Sequence, residues 1–172
     1  RALGPQRLVR RDGSIAGTIG GGLLEATMMQ EAAAVLDSRR SRVASLRMAG
    51  RSLTEEEMLC GGSAEVLVAY VPPGDAVLRA VASTVADAVA ASRRAWLFTF
   101  FTPAPAPAET DVAYCAMEES GELLGDAPCS ANDLRTVLGK VGVHGSATLP
   151  DGRRVHAETV DRPATAVICG AG

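Results

Sequence analysis

Apolar residues recur at helical spacing in three segments of this chain. In the first segment, residues 23–38, they fall at i, i+4, i+8 and i+11, so they share one helical face. The second segment covers about 75–91, and the third follows Ser130, which forms a capping pattern with Asp133. The pattern therefore predicts three amphipathic helices. Their apolar positions are Leu24, Met28, Ala32 and Val35, then Leu78, Val81, Val85 and Val89, then Leu134, Val137 and Leu138.

Between the helices, short apolar or alternating runs predict β-strands. Asp12-Gly13 and Asp151-Gly152 are dipeptides typical of hairpin turns. Thr54 and Glu57 form a capping pattern that predicts a short helical turn. The predicted strands cover residues 42–48, 64–71, 96–101, 112–117, 147–149, 154–160 and 165–169.

Because helices and strands interleave while hairpins intervene, the order of elements predicts an α/β fold. We expect a layered domain with a mixed β-sheet and flanking helices over residues 1–162. Residues 163–172 are then the first strand and Gly-x-Gly turn of a truncated Rossmann-type domain. The chain starts at Arg1 and stops at Gly172, so we also expect further sequence at both ends of the natural protein.

The composition narrows the class of protein. Apolar residues make up 47% of the chain and aromatic residues 3%, so Ala, Val and Leu must fill most of the core. A net charge of -3 argues against a nucleic-acid-binding face, and no apolar run has the length of a membrane span. Four widely spaced cysteines without a C-x-x-C pair are typical of reduced thiols in a cytoplasmic protein.

A run of three glycines, Gly20, Gly21 and Gly22, precedes the first predicted helix. Glycines let backbone amides approach a ligand closely, and amides at a helix N-terminus attract anions such as phosphate. No Gly-Lys-Ser/Thr follows, so this is not a Walker motif. Glu25 lies in the first helical turn, where its charge is expected to oppose an anion. A tight strand-to-helix turn without a ligand is the alternative that spacing leaves open.

Two further glycine motifs are candidate sites. Cys60-Gly61-Gly62 combines a thiol with an open backbone, which suits sulfur, a metal or an electrophile. Taken alone, however, the motif favours a small buried cysteine at the start of a strand. A strand ending in Gly170-Ala171-Gly172 is how a dinucleotide-binding unit begins. The acidic residue that would complete that unit falls beyond the last residue.

Taken together, three motifs resemble the xanthine dehydrogenase accessory factor (XdhC/CoxI) family. They are Gly17-Thr-Ile-Gly-Gly-Gly-Leu-Leu-Glu25, Met58-Leu-Cys-Gly-Gly62 and Val167-Ile-Cys-Gly-Ala-Gly172. The resemblance implies a non-enzymatic chaperone that binds molybdenum cofactor (molybdopterin) as cargo. It implies that the glycine loop binds the phosphate of this cofactor. It also implies that Cys60 lies near the metal or its sulfur. Some relatives carry cysteine where this chain has Leu23, so Cys60 is the matched thiol.

The resemblance also implies partners. These are an apo xanthine dehydrogenase or a related molybdenum hydroxylase, with a cysteine desulfurase as a further candidate. A nucleotide is expected in the missing Rossmann domain. The resemblance leaves open whether the protein forms a homodimer. Two alternatives from other classes are an NAD(P)-dependent oxidoreductase with a C-terminal Rossmann domain and an oligomerisation or regulatory module without a ligand. The second predicts that the amides of Gly20 to Gly22 are buried and bonded within the turn.

Overall fold

The computed structural model describes residues 6–48, 62–103 and 105–160. Several predictions fall on residues outside these ranges: the turn at 54–57, the strand at 165–169 and the start of the Rossmann-type domain. The sites predicted at Cys60, Gly61, Gly170 and Gly172 also lie outside the described residues.

Within those ranges the chain forms three helices and ten strands. The strands are β1 (Gln6–Val9), β2 (Ile15–Thr18), β3 (Arg42–Met48), β4 (Gly62–Val68), β5 (Ala95–Phe101), β6 (Ala108–Glu109), β7 (Val112–Glu118), β8 (Leu123–Gly125), β9 (His144–Thr148) and β10 (Arg154–Val160). The helices are α1 (Gly22–Ser38), α2 (Ala76–Ala90) and α3 (Ala131–Val141). All three predicted helices are therefore confirmed, while the short strands β6 and β8 were not predicted.

The strands form three separate sheets. β1 and β2 make a hairpin, and β4, β3 and β6 form a three-stranded sheet in that order. The remaining five form a larger sheet with the order β8-β7-β5-β10-β9. The α/β class is thus confirmed, and the layers consist of sheets with helices packed against them.

One detail of the predicted fold is wrong: the sheets are antiparallel rather than mixed. Every described strand pair runs antiparallel. The interleaving of helices with strands had predicted some parallel pairs beside the hairpins. Instead, α1 and α2 each connect two different sheets, and α3 joins the opposite edges of the five-stranded sheet. No helix in the described part of the chain links adjacent strands.

The main core lies between the five-stranded sheet and α3. Phe98 and Phe100 stack at 6.4 Å between ring centroids, and Leu134 of α3 is fully buried against this cluster. The first turn of α3 has the predicted capping box, since Ser130 and Asp133 each accept from the other's backbone amide. None of the helices in the described ranges is both long and apolar enough to cross a membrane.

Candidate functional site

The three glycines form the junction between β2 and α1. Gly21 is the N-cap residue of α1, with an extended backbone at φ -157, and Gly22 is the first helical residue. Gly20 and Gly22 both have positive φ, at +134 and +60, a conformation that other residues rarely adopt. The sequence prediction of a glycine turn that opens a helix is confirmed, and the backbone conformation explains why glycine is needed on both sides of Gly21.

The start of α1 differs from the other helix starts because no side chain caps it. Asp75 caps α2 by accepting from the amide of Leu78 at 2.9 Å, and Ser130 caps α3. At α1, the amide of Gly20 donates to Thr18 Oγ1 at 3.1 Å. Within the described residues, the amides of Gly21 and Gly22 have no acceptor, and both glycines are exposed. Two amides at a positive helix end therefore face solvent.

The space around Gly21 is open. A Cβ placed on this residue would meet no atom within 4 Å, and its φ is one that any residue adopts. Gly17 is different, because a Cβ there would lie 2.3 Å from the carbonyl oxygen of Gln6 on the paired strand. The hairpin therefore requires glycine at position 17. At position 21, packing would allow a side chain.

Glu25 does not present a free charge to the loop. Its carboxylate lies 2.5 Å from the guanidinium of Arg7 on β1 and accepts from the hydroxyl of Thr18 at 2.5 Å. The hydrogen bond from Thr18 and the contact with Arg7 lower the pKa of Glu25. Because Arg7 compensates the carboxylate, Glu25 opposes an anion less than the sequence alone indicated. Nε of Arg7 is buried and, among the described residues, unpartnered.

The hairpin that carries the loop is attached to the large sheet by a second polar contact. Nε2 of Gln6 donates to both carboxylate oxygens of Glu158 on β10, at 2.9 and 2.8 Å. Glu158 is buried, with 2% of its surface exposed. Sequence reasoning missed Gln6, Arg7, Thr18 and Glu158. Gln6 and Glu158 are 152 residues apart, and no local spacing signals such a pair.

Gly62 belongs to the sheet that packs against the helix after the glycine loop. α1 packs against β3 and β4, and three residues join it to β3. Its 17 residues span about 25 Å, close to the roughly 23 Å of the seven-residue β3. Met48, at the end of β3, pairs with Gly62, the first residue of β4.

The described cysteines are not the thiols of this site. Cys115 on β7 is fully buried, and burial raises its pKa to about 11. Cys129 is half-buried, and burial likewise raises its pKa. No group of three or more metal-ligating side chains occurs among residues 6–48, 62–103 and 105–160. Cys60, the thiol predicted for this site, and Cys169 lie outside the described residues.

A cleft of about 530 Å³ lies at the opposite end of α1. Its lining includes Arg39 after the helix, Tyr70 after β4 and Tyr114 on β7. The length of α1, about 25 Å, separates this cleft from the glycine loop. The loop itself lies on an exposed surface, so a ligand there would be held against the helix end rather than enclosed by described residues.

The fold and the site together define the class of protein. It is an antiparallel α/β domain whose first helix starts at an uncapped glycine loop. Residues 1–47 match the family described as XdhC and CoxI, a segment that includes the β1–β2 hairpin, the glycine loop and α1. The resemblance inferred from the motifs is confirmed over this segment.

Two known proteins are similar to the chain. One is an uncharacterized protein of Escherichia coli (strain K12), YqeB, 41% identical over 63 residues, which are 37% of this chain and 12% of that protein. The other is a solved structure of a xanthine dehydrogenase from Bacillus halodurans, with a TM-score of 0.63 and 16% identity. That match covers 91% of this chain and 43% of the solved chain, so it shows the fold, and this chain spans less than half of its neighbour.

Proposed function

We propose that this chain belongs to an accessory factor that binds molybdenum cofactor and delivers it to a xanthine dehydrogenase-type molybdenum hydroxylase. The match of residues 1–47 to the XdhC and CoxI family supports an accessory role rather than catalytic turnover. The observation that carries the binding site is the uncapped start of α1, where two exposed amides have no acceptor in the described residues.

The residues at this site suit the phosphate of the cofactor. Amides of Gly21 and Gly22 at the positive end of a 17-residue helix are donors for an anion, and no side chain blocks approach at Gly21. Arg7 compensates the nearby carboxylate of Glu25. The ligand-free alternative predicted buried, bonded amides throughout the loop, whereas among the described residues only the Gly20 amide has an acceptor. When bound, the cofactor would supply a phosphate and a dithiolene-held metal.

The other glycine motif completes the proposal. Gly62 starts β4, in the sheet against which α1 packs, and we propose that the Cys60-Gly61-Gly62 segment approaches the phosphate site. We place Cys60 close to the metal or its sulfur, with a cysteine desulfurase as the source if sulfuration occurs here. Delivery requires that the apo-enzyme bind the cofactor more tightly than this carrier does. The setting is the cytoplasm, and any nucleotide belongs to a Rossmann-type domain that starts near Gly170 and Gly172.

The proposal is tested by measuring the equilibrium binding of molybdenum cofactor to the protein and to Gly21→Asp. The added carboxylate occupies the helix end and repels phosphate, so we expect binding at least about tenfold weaker, which is about 1.4 kcal/mol. Gly21→Ala is the matched control and should change affinity less than about twofold, since its Cβ meets open space. Cys60→Ala is expected to weaken binding as well.

Folding must be unaffected for this comparison to be valid. Aspartate is at least as good an N-cap as glycine, so urea unfolding of Gly21→Asp should show no loss of stability. Equal affinity of the unmodified protein and Gly21→Asp for the cofactor would remove the loop from the site. Hydride transfer from NADH by the protein would instead favour the oxidoreductase.

A further inference from the structure

A serine, a histidine and a buried glutamate lie side by side on β9 and β10. Ser146 Oγ is 3.0 Å from Nδ1 of His156, and Nε2 of His156 is 3.9 Å from Oε1 of Glu158. Their exposure is graded: Ser146 is exposed, the His156 side chain is 35% exposed and the Glu158 side chain is 3% exposed. An accessible hydroxyl, a partly covered base and a buried acid are the arrangement of an activated nucleophile.

The strand register explains why these side chains meet. The amide of Thr159 donates to the carbonyl of Val143, and the amide of Leu149 donates to the carbonyl of Arg153. In an antiparallel ladder, pairs of opposite residues alternate between those joined by backbone hydrogen bonds and those that are not. By this alternation the backbones of Ser146 and His156 are not hydrogen-bonded to each other, and in such pairs the side chains are closest. The same alternation directs the amide of Ser146 away from β10. β9 is an edge strand of its described sheet, so this amide faces outward.

A polar side chain lies beside each nitrogen of the His156 ring. Gln6 donates to both oxygens of Glu158 and holds the carboxylate in place. Oε1 of Glu158 lies on the Nε2 side of the ring, in electrostatic contact rather than at hydrogen-bond distance, and this contact favours the tautomer that leaves Nδ1 as an acceptor for the Ser146 hydroxyl. The other charged or titratable groups that β9 and β10 place on this face are His144, opposite Glu158, and Arg154.

We propose that Ser146 is a nucleophile toward acyl esters and fluorophosphonates, with His156 as its general base. This activity goes beyond the proposed cofactor role and uses none of the glycine-loop residues. Ser146 Oγ forms a bond to the carbonyl carbon as its hydroxyl proton moves to Nδ1 of His156. The bond from that carbon to the leaving oxygen then breaks, and His156 passes the proton to this oxygen, so the alcohol departs. Water next attacks the acyl carbon and gives a proton to His156, the bond to Oγ breaks, and the proton returns to Ser146 as the acid leaves. The outward amide of Ser146 is positioned to donate to the developing oxyanion.

The test uses a fluorophosphonate probe, which traps such a serine. Oγ forms a bond to phosphorus, fluoride leaves with the P–F bonding electrons, and His156 takes the proton. We expect one label per chain, located at Ser146 by peptide mass spectrometry and absent in Ser146→Ala. His156→Gln should slow labelling by about 100-fold or more, the usual contribution of a general base. Ser120→Ala is the control, because Ser120 is exposed and contacts no histidine.

Circular dichroism separates loss of the base from loss of the fold. In His156→Gln the circular dichroism spectrum should stay unchanged while labelling slows. Labelling that is absent from the unmodified protein, or that persists in Ser146→Ala, overturns the proposal. An unchanged rate in His156→Gln does so as well.

Discussion

Glu25 shows how one residue can fix the position of a loop. Its carboxylate joins Thr18 at the end of β2, Arg7 on β1 and the first turn of α1. The hairpin and the helix are therefore tied together on either side of the three glycines. This contact leaves the outward amides of Gly21 and Gly22 in a defined place without using them.

The stability contributed by Glu25 should depend on pH. The hydrogen bond from Thr18 and the contact with Arg7 depress the pKa of Glu25 below its ordinary value of 4.5. A depressed folded-state pKa means that the contribution is fully present above about pH 4.5 and is lost as the pH falls through the folded value. We therefore expect Glu25→Gln to be less stable than the unmodified protein at pH 7, with a gap that narrows at lower pH.

Urea unfolding of both proteins at a series of pH values measures this gap. Asp12, Asp133 and Asp151 also have depressed pKa values, but they are present in both proteins and cancel in the difference. A stability difference that stays constant from pH 7 to about pH 3 would contradict the ionic role of Glu25.

At the scale of elements, the three helices begin in different ways. α2 and α3 start with side-chain caps, and α1 starts with glycine. In α3, Ser130 accepts from the amide of Asp133 at 3.3 Å, and its own amide donates to that carboxylate at 3.0 Å. This closed end supports the helix that covers the core, whereas the open end of α1 keeps its amides available.

We expect Ser130→Ala to lower the free energy of unfolding by about 1 kcal/mol, because the helix loses its side-chain acceptor. Ser130→Gly should cost only a few tenths of a kcal/mol, since glycine is an acceptable N-cap. Thermal or urea unfolding of the two variants gives the comparison. Equal losses in both would show that the cap contributes nothing beyond a backbone effect.

At the scale of the molecule, stability rests on the five-stranded sheet and α3. Leu134 is fully buried among Phe98, Phe100 and Met117, whereas Leu23 beside the glycine loop is 60% exposed. Leu134→Ala should therefore lower the free energy of unfolding by about 2 to 5 kcal/mol, through lost burial and a residual cavity. Leu23→Ala removes the same atoms from an exposed position and should change it by less than about 0.5 kcal/mol.

Urea denaturation measures both leucine variants under one condition. Their comparison tells whether the start of α1 is energetically separate from the core. A loss above about 2 kcal/mol in Leu23→Ala would mean that this leucine is covered in solution.

The elements followed from the sequence because their signals are local. Helical spacing at Met28, Ala32 and Val35 placed the buried face of α1, and the Ser130 capping pattern placed the start of α3. Each signal involves residues within a few turns of each other, so the order of helices and main strands could be predicted from the chain alone. The glycine loop was found in the same way.

Only the tertiary structure decided how those elements combine. Strand direction was predicted wrongly because nothing local shows that α1 and α2 connect different sheets. Arg7 with Glu25, Gln6 with Glu158 and Ser146 with His156 are pairs created by strand register and packing, over separations that no spacing rule spans. The sequence by itself determined that a glycine loop opens a helix. The fold decided that its amides stay exposed and that Glu25 beside them is already paired.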